Sequence, residues 1–162
     1  MKNNLLFILL MGTTLFCCCS DKQDISGKFN NLKDKDYSEF FDISITYRKG
    51  TYLFTLKDQE YLINTNPLTN KIKSIRNRND STAQTSDLDI VTIKDLIRKF
   101  NKLDVAVLSV DKNKNVLLLF YSHNCAYYFL KLNKESSLKD LKKDYFVHYE
   151  NNWYLNKECA EK

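Results

Sequence analysis

The chain has 162 residues, 43% hydrophobic and 13% aromatic, with 25 Lys and Arg against 20 Asp and Glu for a formal charge of +5. That length suits one domain with a respectable core, and the apolar fraction excludes a globally disordered chain. Bases and acids interleave, so the modest surplus reads as solubility rather than a nucleic-acid footprint, and three glycines in all leave no room for a glycine-rich phosphate loop.

At the N-terminus Lys2 precedes an apolar run from Leu5 to Phe16. A charged start and a short apolar core read as an export signal, since a spanning helix needs about 20 apolar residues. The run ends in Cys17, Cys18 and Cys19 instead of an A-x-A-like cleavage site. Here the sequence resembles bacterial lipoprotein signals, in which Leu stands third before an invariant cysteine, a small residue directly before it, and the cysteine becomes the new N-terminus. Cys17 would follow bulky Phe16; Cys18 follows Cys17 with Leu15 third before it; Cys19 follows Cys18 with Phe16 third before it. Cys18 is therefore the expected lipidation site and Cys19 the alternative. The resemblance implies a signal peptide over 1–17, a diacylglyceryl thioether and an N-acyl chain such as palmitate. Two or more chains are what firm anchoring requires.

Residues 18–36 are rich in Asp, Lys and Asn, the composition of a polar tether. The body, 37–162, opens with strand patterns. Ile43, Ile45 and Tyr47 alternate with Ser44, Thr46 and Arg48, Lys49-Gly50 supplies a tight turn, and Tyr52, Phe54 and Leu56 continue on one side. "EYLINT" and "KIKSIR" extend this to four strands, and residues 77–87 read as an exposed loop.

"TIKDLIRKFNKL" predicts a helix from Thr92, with Ile93, Leu96, Ile97, Phe100 and Leu103 on the face that packs on the sheet. "VAVLSV", "VLLLFY" and "CAYYFLKL" predict three further strands, the second apolar on both faces as in the middle of a covered sheet. "SSLKDLKK" reads as a short capped helix, and 145–156 as a C-terminal hairpin turning at Asn151-Asn152 with Trp153 closing the core. The sum is an α+β domain: an antiparallel sheet packed by one main amphipathic helix, with a C-terminal hairpin.

The chemistry-bearing candidates are few. Cys125 and His148 form the one pair from which a cysteine hydrolase could be built, although a cysteine in an apolar strand is usually core. Zinc held by His123, Cys125, His148 and Cys159 lacks the paired ligand spacings of structural sites, so a disulfide between Cys125 and Cys159 is the better reading in an exported chain. Acid pairs Asp34/Asp36 and Asp87/Asp89 carry no further support for calcium or glycoside chemistry. No cofactor and no metal are expected. The expected function is a lipid-anchored, non-catalytic binding module of the bacterial envelope, periplasmic or surface-exposed, of inhibitor or immunity type and with a protein partner. The alternatives are the Cys125/His148 hydrolase and an assembly lipoprotein of an envelope complex.

Overall fold

The computed structural model describes residues 20–66, 69, 71–78 and 86–159; the leader, Cys18, Cys19 and most of the 77–87 loop lie outside them. The chain divides into two compact units between Lys35 and Asp36.

The first unit contains helix α1, Ser20–Leu32, within the stretch whose composition suggests a polar tether. Its helical signal is Ile25, Phe29 and Leu32, recurring at steps of four and three within an otherwise polar stretch. Lys33 N–H donates to the Phe29 carbonyl at 2.8 Å and closes the last turn.

The second unit is α+β. Among the described residues nine strands, β1 (Ile43–Arg48), β2 (Thr51–Leu56), β3 (Gln59–Thr65), β4 (Ile72–Asn77), β5 (Val107–Val110), β6 (Val116–Ser122), β7 (Cys125–Lys131), β8 (Val147–Glu150) and β9 (Trp153–Cys159), make one sheet. Their order is β4-β3-β2-β1-β5-β6-β7-β9-β8, and every pairing is antiparallel. The β1–β2 turn places Lys49 and Gly50 at φ 47° and 80°, the left-handed pair that matches strand twist. Helix α2, Asp87–Asn101, then carries the chain from outer strand β4 back to the middle of the sheet.

Helix α2 begins more than a turn before the expected Thr92. Ser86 is the cap: its hydroxyl accepts Asp89 N–H at 3.1 Å and donates to the Asp89 carboxylate at 2.6 Å, a stronger start signal than Thr92 with Asp95. Ile93, Leu96, Ile97 and Phe100 are buried. Phe100 meets the Tyr52 ring edge-on at 6.1 Å, and the Tyr52 hydroxyl donates to Asn101 Oδ1 at 2.9 Å, which seats the helix on β2. Each such side chain contributes about 1.5–3 kcal/mol through burial.

This helix face of the sheet holds the main core. Ile45, Phe54, Ile63, Leu108, Leu118 and Phe129 alternate inward, and all are fully buried. Phe120 stacks between Tyr127 and Phe129. Trp153 is buried with Lys131 Nζ 5.6 Å from its ring, as the closing hairpin required.

Two connections on this sheet are shaped by their own side chains. In the β5–β6 turn Asp111 Oδ1 accepts the N–H groups of Asn113 and Asn115, its Oδ2 accepts Asn115 Nδ2, and buried Asn115 accepts Asn133 N–H at 2.8 Å. The second expected helix, 136–143, is instead a series of turns. Ser137 does cap Asp140 N–H at 3.2 Å, but Lys142 takes φ 53° and the chain leaves the helical path after one turn. Leu138 and Leu141 from this segment pack with Leu130, Leu132 and Phe146.

Candidate interaction surface

A strand directs alternate side chains to opposite faces, so the residues between the core positions form a second face. Cross-strand register aligns Leu62 with Leu53, Leu53 with Thr46, Thr46 with Val107, Val107 with Leu119 and Leu119 with Tyr128. These residues run as a band across six strands. Leu62 is 37% exposed and Leu53, Val107 and Tyr128 are half-buried, while Leu119 between Val107 and Tyr128 is buried, so the band meets solvent chiefly at its Leu62 end. Thr51, Thr55, Asn64 and Ser74 flank it on β2–β4.

At the other end of the band stand two exposed tyrosines. Tyr121, 65% exposed, faces Ala126 on β7, which faces Glu158 on β9; Tyr145, 58% exposed, contacts Phe146. The Tyr128 phenol is pushed up, first by burial and then by the charge of Glu158, with the Tyr121 and Tyr145 phenols adding to it. Beyond it the Leu138–Phe146 cover closes the face, leaving the tyrosines on a ledge. Tyrosine offers large amphipathic contact area at little cost in side-chain freedom, and such rings are enriched where proteins meet.

The structure separates the sequence candidates. Cys125 and Cys159 are register partners on β7 and β9 and form a disulfide, with Cα atoms 4.0 Å apart. The bond indicates an oxidising, extracytoplasmic compartment. His148 sits opposite Tyr154, five residues from Cys159 and about 17 Å away along the strand. Its Nε2 bonds the Asn151 carbonyl at 2.8 Å. The hydrolase pair is thus not brought together, and its sulfur is already bonded. The four-residue zinc set is likewise unassembled, with His123 in the β6–β7 turn beside the Ser122 hydroxyl at 3.1 Å; among the described residues no group of three His, Cys, Asp or Glu is placed to hold a metal ion. Asp36 accepts Ser38 N–H at 2.8 Å, and Asp89 serves the α2 cap.

The tyrosine ledge was missed in the sequence because "VLLLFY" is apolar throughout, so nothing in it distinguishes exposed Tyr121 from buried Phe120. No family model, curated protein or solved structure matches the chain.

Proposed function

We propose that this protein is a lipid-anchored, non-catalytic binding module of the bacterial cell envelope, of the type that inhibits or neutralises a secreted enzyme or toxin. The observation that carries the reading is the second sheet face: an apolar band ending in exposed Tyr121 and Tyr145 on a disulfide-stapled sheet. A face of this kind gains binding energy by contact, from rigid aromatic anchors over a stiff ladder. The Cys125–Cys159 bond agrees with export, and the lipoprotein-like leader supplies a tether at Cys18, or at Cys19 in the alternative register. Held at the membrane, the body waits where external proteins arrive.

The test is affinity capture from the native envelope and culture medium with the tagged full chain as bait. A single stoichiometric protein partner is expected, lost when Tyr121→Ala and Tyr145→Ala are combined in a folded variant. An empty capture overturns the binding reading, and a many-subunit complex favours an assembly lipoprotein. In cells fed labelled palmitate, the label should enter the wild type and be absent from Cys18→Ser. Label retained in that variant and lost in Cys19→Ser assigns the neighbouring register, and no label in the wild type removes the anchor.

A further inference from the structure

The positive charge of the chain is concentrated in one part of the fold. Residues 43–78, spanning β1–β4, hold seven Lys or Arg against Asp58 and Glu60, a formal +5 equal to the net charge of the whole chain. Both acids are engaged: Glu60 pairs with Arg78 at 3.0 Å, and Asp58 with Lys112 from the β5–β6 turn at 3.3 Å. Among the described residues no carboxylate pairs with Lys71, Lys73 or Arg76, and all three side chains are exposed.

These cations lie along an edge of the sheet, since β4 is its outermost strand on this side. Arg78 N–H donates to the Glu60 carbonyl at 2.7 Å, which sets the phase of the β3–β4 ladder. Alternate residues of an antiparallel strand aim both backbone groups at the same neighbour, so Ser74 and Arg76 face β3 while Ile75 directs its N–H and C=O outward. Arg76 is also in register with exposed Leu62 on the second face.

We propose that β4 is a docking edge for an extended, acidic segment of a protein partner. The segment adds as a further strand beside β4, its backbone meeting the outward groups of Ile75, its carboxylates on the face of Arg76 and its alternate apolar side chains beside Ile75 on the opposite face, with Lys73 at the register shift next to Ser74 adding to the positive charge of the edge. Strand addition takes affinity from main-chain hydrogen bonds and selectivity from side chains. Exposed ion pairs contribute little one by one, but a one-sign edge repels its own copy and attracts the opposite charge. The same cations that prevent β4 from pairing with another β4 therefore favour an acidic strand. An anionic lipid surface would use the charge alone, without the outward backbone groups.

The inference rests on the binding-module reading and specifies where and what the module binds. Its test uses the full chain with three probes: a short end-capped peptide alternating Glu and Val, its Lys–Val counterpart, and phosphatidylglycerol vesicles. The acidic peptide should bind about tenfold more tightly than the basic one, with the preference shrinking as salt rises. Amide exchange should slow at Ile75, and the combined K73E and R76E variant should prefer the basic peptide. Equal binding of the two peptides, protection confined to other strands, or vesicle binding without peptide binding overturns the proposal. Lys73→Gln with Arg76→Gln gives a milder variant should charge reversal disturb folding; it should lose the preference without inverting it. A native partner captured equally by wild type and by K73E/R76E removes this edge from the binding site while leaving the module reading in place. An empty wild-type capture removes the module reading, and the peptides still decide whether β4 accepts an acidic strand.

Discussion

Leu62 and Ile63 are consecutive on β3, yet Ile63 is fully buried on the helix face while Leu62 is 37% exposed on the other. Nearly the same apolar volume therefore has opposite consequences. Ile63→Ala should destabilise the protein by about 2–5 kcal/mol, the usual cost of a cavity in a packed core. Leu62→Ala should cost less than about 1 kcal/mol. Urea unfolding of both variants measures the difference, and equal losses would mean that the second face is covered.

The disulfide closes a loop between residues separated by 34 in sequence, and tethers β9 to β7 at the end of the chain. Constraining the unfolded chain in this way stabilises by about 2–4 kcal/mol. Replacing both cysteines by Ala should lower the unfolding free energy by that amount, and amide protection should fall first in β9 and β8. Unchanged stability under reducing conditions would contradict the staple.

Asn115 is 3% exposed and joins two connections: it donates to Asp111 Oδ2 at 2.8 Å and accepts Asn133 N–H at 2.8 Å. Asn115→Ala removes both bonds and strands the Asn133 N–H, so a loss of about 1–3 kcal/mol is expected. Asn115→Asp keeps the acceptor for Asn133 but sets a carboxylate against that of Asp111, and should recover part of the stability only when acid protonates one of them. Thermal unfolding at neutral and acidic pH separates the two variants.

Four phenols are held above the ordinary value of about 10: Tyr37 most, by burial; Tyr52 and Tyr61 by burial first; and Tyr128 by burial and the charge of Glu158. A raised phenol keeps its proton longer in the folded than in the unfolded chain. Its contribution to stability is thus whole below about pH 10 and is lost as pH climbs toward the folded-state values. Spectroscopic titration of tyrosinate should show a late group of ionisations coinciding with alkaline unfolding, and Tyr37→Phe should diminish the late step. Ionisation of all tyrosines near pH 10 in a folded protein would contradict this burial.

The strands were legible in the residues because period-two alternation and turn chemistry coincide. Ile43, Ile45, Tyr52 and Phe54 alternate around Lys49-Gly50, and the structure puts a left-handed pair at that turn. Helix α1 was obscured because Ile25, Phe29 and Leu32 are diluted by charged neighbours and by Gly27, which costs a helix about 1 kcal/mol relative to Ala. The 136–143 segment misled in the opposite direction: Ser137 and Asp140 form a true cap, but a cap initiates a helix without sustaining it, and Lys142 ends the turn with positive φ. Strand order is a tertiary property, so β4 could not be recognised as an outer strand from its own residues. Counting charge over the whole chain also concealed its concentration in 43–78. The cysteine pairing rested on compartment and on the absence of a better use for either residue, and the β7–β9 register brings the two together.

Two seams in the sheet are closed by no hairpin, β7–β9 and, much wider in sequence, the one that the crossover of α2 leaves between β1 and β5. Strands β1 and β5 are hydrogen-bonded neighbours, yet Ile43 and Val110 lie 67 residues apart in sequence, and Ile45 and Leu108 lie 63 apart. Hairpins close within microseconds, whereas contacts of such separation carry the entropy of a long loop and set the slow step. Synthesis supplies β1–β4 and α2 before β5 exists, so the nascent protein passes through a stage in which β1 is a bare rim exposing Ile45. The zipping of β5 onto that rim ends the aggregation-prone interval and turns two separately folding ribbons into one continuous sheet.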